Sequence, residues 1–254
     1  MTWFTRLHGR VTVAPVTPMD RARALAEAGD HAGALALWEP LARGGDARAC
    51  NNIGACFAEG LGVPRDPVLA RDWLTLSADA GDPVGQRNLA SLLFKGEGIP
   101  ADERRAATLY RLAAKQGDAT AQDMLSWMLL EGRTLPVDPG EALVWAVAAA
   151  QQGVAAAMTR IGMIHHNALD VPRDPIAAAL WWRRGAEAGD ADGQAMLGAA
   201  LLMGRGGVGD GVEALAWLLR AKHNGSALSD RFLAAARQAL DADGIAAAER
   251  RAAA

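Results

Sequence analysis

An all-α fold, a right-handed α-solenoid built of helix-turn-helix repeats, follows from three observations. The string V-P-R-D-P occurs at residues 63–67 and again at residues 171–175, a separation of 108, which is three times 36. Cutting the chain every 36 residues from Ala47 gives five units without a gap: residues 47–82, 83–118, 119–154, 155–190 and 191–226. Three unit positions never vary. Position 20 is Asp66, Asp102, Asp138, Asp174 and Asp210; position 24 is Ala70, Ala106, Ala142, Ala178 and Ala214; position 35 is Gly81, Gly117, Gly153, Gly189 and Gly225.

Each recurring residue has a mechanical reason. Asp at position 20, followed in three units by Pro67, Pro139 or Pro175, is an N-cap with proline at the first helical position, where the missing N–H costs nothing. It starts the second helix of each unit. Gly at position 35 suits the left-handed residue that ends that helix, and the following Asp82, Asp118 or Asp190 caps the first helix of the next unit. Small Ala at position 24 lets paired helices approach. The large residue at position 27 (Trp73, Leu109, Trp145, Trp181, Trp217) is expected to fill the space between units. Gly- and Pro-rich stretches such as GLGVPRD, GEGIPAD and GRTLPVD read as the loops between the two helices.

The ends complete the array. Residues 1–18, with Pro15 and Pro18 and little periodicity, read as an extended N-terminal arm. Residues 19–46 read as a capping helical hairpin turning at Gly29-Asp30, with Trp38 and Leu41 covering the first unit. Residues 227–254 read as C-terminal capping helices, with Phe232, Leu233 and Leu240 facing inward.

The pattern resembles the Sel-one-like repeat family of the tetratricopeptide superfamily, carried here by N-I-G at residues 52–54, G-L-G-V-P-R-D at residues 60–66, Trp73 and Gly81, and covering residues 47–226. The resemblance implies a non-catalytic protein-interaction solenoid whose first helices line the concave surface. Two loops depart from it: Ala168 and Asp170 replace both loop glycines in NALDVPRD, and GRGGVGD lacks the usual proline, so these turns are expected to differ locally. Some disulfide-rich relatives are linked to penicillin binding and β-lactam hydrolysis, which makes a hydrolase the remote alternative. Such an enzyme needs Ser-x-x-Lys, and no serine here has lysine three residues on. Those relatives also pair cysteines within repeats, whereas Cys50 and Cys56 lie six apart on one helix and point in different directions.

Other chemistry is no better supported. No P-loop, His-Glu-x-x-His or Cys-x-x-Cys occurs, so no catalytic residue and no cofactor is expected. His165 stands where other units have Phe57, Leu93, Leu129 and Leu201, and reads as a packed core histidine with one hydrogen-bond partner. Adjacent His166 diverges from it by about 100°, too far for joint chelation, so no metal is expected. A formal net charge of -3, with only Lys95, Lys115 and Lys222 as lysines, leaves no basic stripe for phosphates and argues against nucleic acid. The absence of a long apolar run argues against a membrane partner and for a soluble, cytoplasmic protein.

The first helices then offer a face. Projected at about 100° per residue, positions 3, 4, 7, 8, 11 and 14 form the fixed side, and positions 2, 5, 6, 9, 12 and 13 the side where units disagree. Along the array this varied face reads first as polar (Arg48, Asn51, Asn52, Arg87, Asn88, Lys95). It then turns apolar (Trp127, Leu130, Met163, His166, Met196, Leu202, Met203), with Phe94 at the junction. Asn52 and Asn88 are placed to clamp successive peptide groups of an extended chain, and Arg48 and Arg87 to hold a carboxylate. The expected role is a scaffold or adaptor holding a protein or peptide segment on the concave face. The alternative is a structural or self-assembling protein, a homo-oligomer included, whose groove is filled by its own or a neighbour's N-terminal arm.

Overall fold

The structure, a computed structural model, describes residues 16–204 and 210–253. Among these residues there are fourteen α-helices, one 3-10 turn and no strand. An N-terminal hairpin, α1 (Pro18–Glu27) and α2 (His31–Arg43), precedes five helix pairs. The pairs are α3 (Ala47–Glu59) with α4 (Pro67–Asp79), α5 (Pro83–Lys95) with α6 (Glu103–Lys115), α7 (Ala119–Glu131) with α8 (Pro139–Gln151), α9 (Ala155–Asn167) with α10 (Pro175–Glu187), and α11 (Ala191–Leu202) with α12 (Gly211–His223). A 3-10 turn (Ala227–Ser229), α13 (Asp230–Gln238) and α14 (Ala242–Ala253) follow. Each helix up to α13 packs on the next in chain order, and α14 packs back on α12. In addition α3 touches α5, α7 touches α9 and α9 touches α11, whereas no two second helices of the repeats pack as closely among the described residues. The first helices therefore form the compressed inner layer of a curved α-solenoid, which is why their free face is concave.

The caps follow the sequence. Asp66, Asp102, Asp138, Asp174 and Asp210 each accept hydrogen bonds from backbone N–H groups of the second helix they begin. Asp82, Asp118 and Asp190 do the same for first helices. Each such cap contributes about 1 kcal/mol. Gly at position 35 takes φ between 86° and 94° in all five units, the left-handed region that favours glycine.

Packing between paired helices rests on size complementarity between positions 8 and 28. Gly54 faces Leu74, Gly162 faces Trp182 and Gly198 faces Leu218, so closely that a methyl group at any of these glycines would meet the partner side chain at 2.5 to 2.7 Å. Position 28 is thus the fully enclosed one. Position 27 packs at the junction with the preceding unit as expected, but only Leu109 is buried there, while Trp73, Trp145, Trp181 and Trp217 are half-buried.

Further expectations change at the ends and in the loops. Residues 1–15 of the expected arm lie outside the described residues, but Pro18 already begins α1, because Thr17 and Asp20 close a reciprocal capping box around it. The fourth loop does not differ locally: Ala168 (φ 56°) and Asp170 (φ 53°) take the same left-handed backbone as Gly60 (φ 75°) and Gly62 (φ 71°) one hundred and eight residues earlier. Most of the fifth loop, residues 205–209, lies outside the described residues. His165 is half-buried rather than a core residue.

Candidate functional site

Much of the polar half of the concave face is hydrogen-bonded within the protein. Asn51 is 4% exposed, because position 5 of one inner helix packs against position 6 of the next, and it is no groove residue. Asn88 Nδ2 donates to Asn51 Oδ1 at 2.8 Å, Asn51 Nδ2 donates to Asn52 Oδ1 at 3.2 Å, and Asn88 Oδ1 accepts from Arg87. Asn52 Nδ2 lies 4.0 Å from Met19 Sδ. This amide tie links α3 to α5 and engages the acceptor oxygens of both expected clamp residues, Asn52 and Asn88, while the Asn52 NH2 group has, among the described residues, only the long contact to the Met19 sulfur. The two arginines already hold carboxylates, but the chain's own: Arg48 donates to Asp82 at 3.2 Å and Arg87 to Asp118 at 3.0 Å. Both acceptors are helix caps, so the arginines brace unit junctions. Lys95 is exposed and, with Asn88, borders a hollow of about 270 Å³ between α3 and α5.

The apolar half is open. Trp127, Leu130, Met163 and Met196, from three consecutive inner helices, line one groove of about 430 Å³ together with Leu228 of the 3-10 turn. Met163 is 43% exposed, while the others are half-buried. Phe94 meets Trp127 edge to face, centroids 5.7 Å apart, and stiffens the groove's N-terminal wall. His166, Met196 and Met203 line a smaller adjoining hollow of about 120 Å³ with Trp182 and Phe232, and the His166 ring lies 5.3 Å from that of Trp182. Leu202, although on the varied side of the helix projection, turns its apolar surface to the C-terminal helices and is half-buried there.

Several groove residues were missed from sequence. Glu131, Asp190 and Asp192 border it, and so does Arg160, whose guanidinium is ion-paired with Asp123 and nearly buried. Glu131, Arg160 and Asp192 stand at positions 13, 6 and 2 of their units, so applying the varied positions uniformly would have found them. Leu228 lies beyond the repeats, and no period reaches it. Both cysteines are free and buried, and burial pushes both thiols up, which keeps them protonated and poorly nucleophilic. Among the described residues no group of three or more His, Cys, Asp or Glu side chains gathers to ligate a metal, and no helix is long and apolar enough to cross a membrane.

The family model described as Sel1 repeat matches residues 47–82, 83–118, 119–154, 155–190 and 191–226. The chain belongs to the Sel1 repeat family. A crystal structure of a Sel1 repeat protein from Oxalobacter formigenes is similar at 30% identity and TM-score 0.76, over 87% of this chain and 100% of that one. A protective antigen of uropathogenic Escherichia coli strains, itself displaying an SLR fold, shares the fold at 22% identity and TM-score 0.50, over 92% of this chain and 67% of that one. Among curated proteins none matches. Sel1 repeats generally serve as scaffolds for protein–protein contact.

Proposed function

We propose that this Sel1 repeat protein is a non-enzymatic scaffold or adaptor that holds a protein or peptide segment in the concave groove of its third to fifth repeats. The observation that carries this reading is the convergence of Trp127, Leu130, Met163 and Met196, from three consecutive inner helices, on one open groove. Methionine side chains adapt to a partner's contours, and a tryptophan such as Trp127 is of the residue type enriched among the side chains that dominate interface energy. A rigid stack sets them at a repeating interval, and this preorganisation lowers the entropy lost on docking.

The test is a pull-down from native extract with the full chain and with a Trp127→Ala, Met163→Ala double variant whose helicity is unchanged. The reading expects partners recovered by the parent to be lost from the double variant. Retention of every partner by the folded variant contradicts it. Turnover of a chromogenic β-lactam by the purified protein would move it to the hydrolase class instead.

A further inference from the structure

Resting on the reading that the groove holds a peptide segment, we propose that the chain's own residues 1–15 occupy this groove and compete there with the partner. The groove has an apolar floor and an acidic edge. Glu131 and Asp192 are exposed beside it, Asp190 borders it although its carboxylate already caps α11, and the one guanidinium among the described lining residues, Arg160, is already ion-paired with Asp123. Such a groove selects an occupant with large apolar side chains and cationic neighbours.

Residues 1–15, MTWFTRLHGRVTVAP, have that chemistry. They carry Trp3, Phe4, Leu7, Val11 and Val13 together with Arg6 and Arg10, and no carboxylate side chain occurs before Asp20. Their point of attachment is also on the correct side. Met19, at the start of α1, lies against Asn52 of α3, on the concave layer, so the chain enters the described structure from the groove side. Fifteen extended residues reach about 50 Å. The path from α1, where the segment joins, to α9 crosses four inner-helix spacings of about 10 Å each, on the order of 40 Å in all. The segment is long enough to reach the groove of its own molecule.

The experiment uses a fluorescently labelled synthetic peptide of residues 1–15 and two full-length proteins: the parent, and a variant carrying Trp3→Ala, Phe4→Ala, Arg6→Glu and Arg10→Glu. In the parent the tethered segment competes at an effective concentration in the millimolar range. The altered variant is therefore expected to bind the free peptide at least about tenfold more tightly, by anisotropy. Adding Trp127→Ala and Met163→Ala to the variant should abolish that binding. Adding instead the surface change Glu131→Lys, which disturbs no buried position, should weaken it several-fold. Equal affinity for parent and variant, no binding to either, or binding indifferent to the groove substitutions overturns the proposal. So does a dimer, seen by light scattering, that dissociates when the segment is altered, because it would put the segment in a neighbour's groove. If the peptide fails while the pull-down still loses its partners with the groove variant, this inference falls and the scaffold reading stands.

Discussion

Ala168 and Asp170 hold the left-handed conformation that glycine holds at the equivalent positions of the first repeat. An L-residue there costs about 1 to 2 kcal/mol. Glycine returns part of that gain through the greater freedom of the unfolded chain, about 0.4 to 1 kcal/mol. Ala168→Gly should accordingly raise stability by about 0.5 to 1 kcal/mol, and Asp170→Gly by less, since Asp tolerates this region through local hydrogen bonds. Urea unfolding checks it: the midpoint should rise with no change in slope. The converse holds at Gly162, where a Cβ would stand 2.5 Å from Trp182 and 3.0 Å from the Ala178 carbonyl oxygen. Gly162→Ala should lower the same midpoint by about 1 to 3 kcal/mol. Sequence made the small residue at Gly162 visible as part of a repeated pattern, but its reason lies at Trp182, twenty residues on. Periodicity shows that two positions recur and leaves open which pairs of them face each other.

Among the helices, what was legible was local. Asp66, Asp102 and their equivalents read as caps because a cap needs only its own next three residues. What escaped was the tie between helices. Gln86, Gln122 and Gln194 are buried at position 4, where each Nε2 donates to a carbonyl of the preceding unit's second helix, at Ala78, Ala114 and Ala186. Each Oε1 accepts from an amide at position 34 of its own unit, Gln116, Gln152 or Asn224. A polar residue repeated on the predicted core side was the available signal. Asn51 escaped for the complementary reason: position 5 lies at the edge of the projected open arc, and the neighbouring inner helix covers it. The outer layer carries a second tie. Glu141 bonds Arg111 of the preceding unit and Trp145 of its own, and Glu213 bonds Arg183 and Trp217 in the same way. Burial alone would raise both carboxyls, but these hydrogen bonds and the neighbouring cations outweigh it and hold both below the ordinary glutamate value. A lowered folded pKa means stability that is complete above the unfolded value and is lost as pH falls through the folded one. Between about pH 6 and pH 3, a Glu141→Gln, Glu213→Gln variant should therefore lose less stability than the parent. The expected difference is on the order of 1 kcal/mol or less per half-exposed pair. Parallel pH profiles of the urea midpoints would show that the pairs contribute nothing.

Across the whole molecule, a stack that contacts only its neighbours is as cooperative as its weakest junction. The junction between the third and fourth repeats is built differently from the rest. Its cap position is Val154, with no side-chain hydrogen bond, and its position 4 is Met158 where the other junctions between repeats have glutamine. The core there is a small cluster of Ala146, Ala149, Ala150, Ala157 and Ile161. The nearly buried pair of Arg160 with Asp123 takes over the polar tie on the inner layer, where Arg160 borders the proposed groove. Leaving one member of a buried pair alone costs about 3 kcal/mol or more, and no glutamine tie remains at this junction to share the loss. Arg160→Ala should thus do more than lower the midpoint: it should split unfolding, with the fluorescence and circular dichroism transitions no longer coincident. Arg111→Ala is the control. Its junction keeps the Gln122 tie, so it should cost about 1 kcal/mol or less and leave the transitions superimposed. If both variants unfold in one transition, the third and fourth repeats are coupled by apolar packing alone, and the groove owes its rigidity to the alanine-rich cluster instead of the ion pair.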